Sequence, residues 1–336
     1  MDTTQRTLSE SVSDLFSSLS IIGELGNPEA KLDGLRKAFS CLSERLKVEI
    51  VEALQMTPPV NSLGEGIVDR YGWKGLYHRS FTFWFSFYVS WIWIQLGKRL
   101  DASTLHRVLN VWVLGTIGYR LLDLFLDEGK GSQSEAIAGL WLIDAHEAEL
   151  RKLFGDSENT TDCIRESKTE WFAAELREKT QQGSRCPISP DDLTDLATKA
   201  APIFALFRLA LSKYSDPGLA TEYKALIYKL IAVTQILDDL ADLEDDLSHG
   251  FFTLPCVGLE DDLANLSAAA GAALIRDDDD RMRWLYGISR NLVVEAADLA
   301  RNLRDPLFEA FSECRVLILD RVFFGKEVLH AHGQDP

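Results

Sequence analysis

An all-α fold is what this sequence predicts, on three observations. Apolar residues recur at three- and four-residue spacing in segment after segment. No stretch shows the period-2 alternation of strands or the Gly-rich strand-to-helix turn of a nucleotide-binding sheet. Two clusters of aspartates each interrupt an otherwise apolar helical stretch. The 336 residues are 46% hydrophobic, ample for a buried core. With no internal repeat and no long linker, a single α-helical domain is expected over 1–336, its core at about 30–330.

The elements follow in order. Residues 15–25 and 32–56 carry the helical pattern, and 57–68, with two prolines and two glycines, reads as loop. Helical spacing resumes at 84–100, 105–127 and 137–154, and a polar connection follows at 155–162. The stretch 80–97, SFTFWFSFYVSWIWIQLG, is interrupted by Ser80, Thr82, Ser86, Ser90 and Gln95. It reads as a buried helix with a wide aromatic face rather than a membrane span. Residues 164–179 are amphipathic and end in the breaker-rich QQGSRCPISPDD. Pro190, Asp191 and Asp192 signal the start of a helix running through Leu211, and Asp216, Pro217 and Gly218 mark a turn. A strong helix at 223–247 stops at Gly250, with Pro255 behind it. Residues 261–275 and 284–303 are helical, with the run at 277–280 capping or linking them, and 308–329 supplies a last helix.

The formal charge of −17 argues against a nucleic-acid partner. It does not exclude an anionic substrate, because six acids fall between Asp238 and Asp246, where a cation inverts the local field. Five scattered cysteines without a C-x-x-C pair suit buried thiols in a reducing compartment. The opening residues MDTTQRTLSE lack a basic segment and apolar run, so no secretory leader and a cytoplasmic location are expected.

The first aspartate cluster is GYRLLDLFLDEGKG, in which Asp123 and Asp127 share a helix face about 6 Å apart along the axis. Like charges repel there unless a cation lies between them, and leucines surround both. The second is QILDDLADLEDDLSHGFFTLP. Asp238, Asp242 and Asp246 form an i, i+4, i+8 line with Asp239 beside it, and leucines again fill the gaps. A solvated acidic face explains either cluster alone. Two of them in apolar helices point instead to Mg²⁺, which accepts carboxylates together with phosphate oxygens.

These motifs resemble those of the type I all-helical isoprenoid synthases. Gln235, Asp238, Asp239 and Asp242 match the second motif of trans-prenyl diphosphate synthases. Gln235, Asp242, Asp246, Gly250 and the Leu254, Pro255 ending match that of squalene and phytoene synthases. Lys199, in DLATKAAPIFALF, is similar to the lysine that holds the diphosphate in the prenyl synthases. YRLLDLFLDE resembles the aromatic–Arg–x–x–Asp–x–x–x–Asp arrangement of head-to-head synthases, and EGKGSQ follows where chain-elongating enzymes carry an arginine pair. This mixture is similar to non-standard bacterial terpene cyclases.

The resemblance implies a helical bundle around a central cavity and a homodimer as its possible assembly. It implies three Mg²⁺ ions held by Asp123, Asp127, Asp238, Asp239, Asp242 and Asp246, and a prenyl diphosphate of farnesyl to geranylfarnesyl length that is ionised and cyclised. Arg120, Lys199 and Arg290 are the candidates for the diphosphate. Phe81, Phe85, Tyr88 and Trp112 are candidates for an aromatic pocket that stabilises a carbocation. A prenyltransferase, head-to-head or chain-elongating, and a non-catalytic helical scaffold are the alternatives. His249 reads as a helix C-terminal residue.

Overall fold

A computed structural model describes residues 102–127, 132–184, 193 and 197–324, with isolated positions between 27 and 37. The expected helices at 15–25, 32–56 and 84–100, and with them Phe81, Phe85 and Tyr88, lie outside the described residues. Every regular element among the described residues is helical. The chain divides into two compact units, Met1–Arg165 with Ile203–Pro217, and Glu166–Pro202 with Gly218–Pro336.

The first unit is built on α1 (Ala102–Asp127) and α2 (Gln133–Phe154). Helix α2 opens with a capping box: Ser132 Oγ accepts from the Glu135 N–H at 3.3 Å, and Glu135 returns to the Ser132 N–H at 2.5 Å. The helix therefore starts before the apolar pattern that predicts it. Glycines set how closely the two helices approach. A Cβ on Gly139 would lie 2.8 Å from the Gly118 carbonyl, and one on Gly118 would lie 3.0 Å from the Gly139 carbonyl. One turn further along, Gly115 lies under the His146 ring, whose Nδ1 donates to the Val111 carbonyl at 2.7 Å. Burial holds the His146 imidazole below its ordinary pKa, which favours the neutral ring in this contact. Leu121, Leu122 and Leu124 are buried, so the helix that carries Asp123 is anchored on both sides of it. Helix α3 (Glu158–Ser184) begins in this unit, and most of α4 (Ala201–Tyr214) belongs to it. Lys213 at the end of α4 donates to the Leu153 carbonyl at 2.8 Å, which ties α4 to the end of α2.

The second unit centres on α5 (Leu219–Ala241), preceded by a 3-10 turn at Thr198–Ala200. Short helices α6 (Leu243–Ser248), α7 (Glu260–Leu263) and α8 (Ala268–Arg276) follow, then the long α9 (Asp279–Asn302) and α10 (Pro306–Phe324). Asp278 caps α9, accepting from the N–H groups of Asp280 and Arg281 at 3.0 Å each. Val233, Val293 and Leu319 bring α5, α9 and α10 together, while Ala232, Ile236, Leu240, Leu254 and Leu285 form a neighbouring core. Polar pairs fix the register: Tyr223 donates to the buried Asp305 and Tyr286 to the partly exposed Asp320, both at 2.7 Å.

The expected helix at 223–247 is broken at Asp242 (φ −93°, ψ 6°), which ends α5 and precedes α6. The Arg276 guanidinium donates to the Leu240 and Ala241 carbonyls at 3.1 and 3.4 Å, satisfying groups left open at a helix end.

Gly139→Ala places a methyl against backbone that cannot swing aside. It is expected to lower stability by about 1–3 kcal/mol in urea denaturation. Gly287→Ala on α9, where an added Cβ meets nothing within 4 Å, is expected to raise stability by about 0.5–1 kcal/mol in the same assay.

Candidate functional site

The second aspartate motif occupies the end of α5, and the helix period explains its unequal burial. Ile236, Asp239 and Leu240 continue the face buried by Ala232 and Val233, so Asp239 is only 4% exposed. Asp238, Asp242 and Asp246 are half-buried. Backbone bonds from the Asp242 N–H to the Asp238 carbonyl and from the Asp246 N–H to the Asp242 carbonyl, both 2.9 Å, carry a helical course across the break. The three thus stay in sequence along one edge.

Asp239 is held at one oxygen and bare at the other. Gln235 Nε2 donates to its Oδ1 at 2.9 Å and the Leu254 N–H also bonds the carboxyl, while Oδ2 is buried with no hydrogen bond. Burial, with Glu178 and Asp238 adding repulsion, pushes its pKa up to about 7. Asp246 is pushed up to about 8, by burial first and then by Asp239, Asp242, Asp245 and Glu178. Cys256 lies in the same field; burial and the two aspartates raise its thiol to about 11, which keeps it protonated.

Glu178 is the member that sequence reasoning missed. It sits with Glu175 in the AELRE stretch of α3, read from sequence only as an amphipathic helix. Glu175 is 4% exposed, and its place at helical spacing with Trp171 and Ala174 was the signal the sequence offered. Lys199 extends from the 3-10 turn to both carboxylates, ion-paired with Glu178 and 3.6 Å from Glu175. The structure thus brings Lys199, through Glu178, into the field of Asp239 and Asp246. Arg290 is exposed on α9 and bonds the phenol of Tyr286, which in turn donates to Asp320. His249 caps α6, its Nδ1 at 2.8 Å from the Asp245 carbonyl, as a helix C-terminal residue does.

In the first unit, Asp123 and Asp127 share α1, and Asp127 is its last residue. Asp123 is half-buried and paired with Arg120 at 2.5 Å, an exposed ion pair one turn long. Tyr119, beside Arg120, is held above the ordinary phenol range by burial and by Glu147. Trp112 is 2% exposed and belongs to the core of this unit.

The donor set of the second motif is wholly oxygen and anionic, the kind that Mg²⁺ takes. A buried carboxylate oxygen without a hydrogen bond suits a cation, which would reverse the repulsion that raises Asp239 and Asp246. Among the described residues, no three His, Cys, Asp or Glu side chains already converge as a ligand set.

The chain has the all-α fold of the type I isoprenoid synthases. It is similar to the crystal structure of a heptaprenyl diphosphate synthase from Staphylococcus aureus, with a TM-score of 0.54 and 12% sequence identity, over 94% of this chain and 98% of that one. No protein-family model matches the chain, and no curated protein matches its sequence.

The raised carboxyls give a pH dependence with a definite sign. A carboxyl whose folded pKa lies above its unfolded value near 4 binds more protons in the folded state. Its stabilisation is complete below about pH 4 and is lost as pH rises through about 7 for Asp239 and about 8 for Asp246. In EDTA, Asp246→Asn is expected to melt roughly 2 °C or more above the parent at pH 8.5. The gap should narrow towards pH 5, as followed by circular dichroism.

Proposed function

We propose that this chain is a Mg²⁺-dependent enzyme that ionises an allylic prenyl diphosphate. The observation that carries this reading is the crowd of carboxylates at the end of α5, with a bare buried oxygen on Asp239, in a chain of the type I isoprenoid synthase fold. Asp238, Asp239, Asp242 and Asp246 would hold the metal, and the motif resemblance assigns Asp123 and Asp127 the same kind of role. Bound there, Mg²⁺ supplies charge neutralisation to the departing diphosphate.

The chain's own groups do the rest. Lys199 exchanges part of its contact with Glu178 for the diphosphate oxygens, and Arg120 does the same from Asp123. Gln235 holds one oxygen of Asp239 and would leave the other for the metal. Phe81, Phe85, Tyr88 and Trp112 remain the sequence candidates for an apolar surface that would exclude water from the cation.

Two fates of that cation are supported by different observations. Likeness to a heptaprenyl diphosphate synthase favours capture by a second isoprenoid, a prenyltransfer. EGKGSQ after Asp127, in place of an arginine pair for a second diphosphate, favours ring closure within one chain, a terpene cyclisation.

Products from geranyl, farnesyl, geranylgeranyl and geranylfarnesyl diphosphates, each with and without isopentenyl diphosphate, separate the two when analysed by mass spectrometry. Prenyltransfer yields longer or joined chains and cyclisation yields a cyclic hydrocarbon or alcohol from one diphosphate alone. Either activity is expected to fall by roughly 100-fold or more in Asp242→Asn. Release of no pyrophosphate from any substrate would sink the proposal.

A further inference from the structure

We infer that Arg276 is a positioning residue that sets the spacing of the two halves of the second aspartate motif. This rests on the proposed metal role of that motif. The break at Asp242 separates Asp238 and Asp239, which ride on α5, from Asp246, which rides on α6. A six-residue helix cannot hold its own orientation, so something outside it must fix where Asp246 stands relative to Asp239.

Helix α8 is that support. Its Gly271 lies so close to α6 that a Cβ there would be 3.1 Å from Leu247 Cδ1 and 2.9 Å from Leu263 Cδ2. Ile275, one residue before Arg276, shares a buried cluster with Leu243, the first residue of α6, and with Phe252 and Cys256. At the end of α8, one Arg276 amino group reaches back to both Leu240 and Ala241 on α5. Helix α8 therefore grips α6 through Gly271 and Ile275 and α5 through Arg276, with Asp242 between the two grips.

Charge favours an arginine in this place. The final carbonyls of α5 carry the negative end of the helix, and they sit among the carboxylates of Asp238, Asp239 and Asp242. A guanidinium meets two carbonyls at once. It spares the carboxylates for other ligands because it is spent on backbone. Without it the two carbonyls turn to water and α6 is released to move against α5.

The test uses the full chain in four forms: wild type, Arg276→Met, Arg276→Lys and, as a control, Arg301→Met. Arg301 forms exposed ion pairs with Asp298 and Glu309 in the same unit, away from the motif. Mn²⁺ binding in the presence of inorganic pyrophosphate is followed by the electron paramagnetic resonance of free Mn²⁺. Backbone hydrogen exchange of 243–248 is followed by mass spectrometry. Arg276→Met is expected to weaken Mn²⁺ binding by about tenfold or more. It should also speed exchange in 243–248 while leaving 219–236 protected. Arg276→Lys, which retains a cationic donor, is expected to recover much of both effects, and Arg301→Met to show neither.

With turnover as readout, Arg276→Met should raise the half-saturating Mg²⁺ concentration more than it lowers kcat. Wild-type Mn²⁺ binding and exchange in a folded Arg276→Met would overturn the inference. So would an Arg276→Lys that binds Mn²⁺ about tenfold or more weaker than the wild type, which decides the matter also if the Met variant fails to fold. A wild type that binds no Mn²⁺ with pyrophosphate overturns the functional reading and the metal role together. The exchange data then still decide whether Arg276 fixes α6.

Discussion

Carboxylates crowded in a low-dielectric corner are the constraint on which the second unit depends. Asp239 is nearly buried, Asp246 is half-buried, and Glu178 adds its charge to both. Ionising them together without a counter-charge is unfavourable, and their raised pKa values express this. The surroundings are arranged accordingly. Gln235 takes one oxygen of Asp239, Lys199 takes Glu178, and Arg276 neutralises the end of the helix that carries the motif. A corner optimised for stability alone would hold leucines here, as the neighbouring positions do.

In the first unit Asp123 has its own cation in Arg120, and packing geometry fixes the face that carries it. Asp123 lies within a helix locked by the mutual contact of Gly118 and Gly139 and by buried leucines on each side. Close packing of two backbones leaves α1 little freedom to roll about its axis, so the face that carries Asp123 is fixed. His146 adds a directional bond to the Val111 carbonyl at the same crossing, and burial keeps its ring neutral.

Helix content was legible in the sequence wherever apolar spacing was strong, because burial of one face dictates it. Boundaries were less so. Helix α2 starts at Gln133, ahead of the apolar pattern, although Ser132 and Glu135 spell the capping box that begins it. Conversely, the interval 261–275 looks continuous by spacing yet divides into α7 and α8, with Ser267 capping the second. The aspartates were legible because charge inside an apolar helix is costly and so conspicuous. What escaped was long-range. Glu178 looks like any glutamate on an amphipathic helix until Lys199 and Asp239 are brought near it, and Arg276 reads as an ordinary C-terminal arginine until α8 folds back on α5.

A charge count then constrains how the proposed site can work. Among the described residues, the carboxylates of Asp238, Asp239, Asp242, Asp245, Asp246, Glu175 and Glu178 outnumber Lys199 and Arg276. Lys199 already spends its charge on Glu178 and Arg276 on backbone carbonyls. Among these described residues an isolated diphosphate would meet a field of its own sign. Divalent cations bound there would reverse that field, lower the raised carboxyls and compete with Lys199 for its partner. Metal and diphosphate should accordingly bind as mutually dependent ligands, each weak alone, so that ionisation is possible only when both are present.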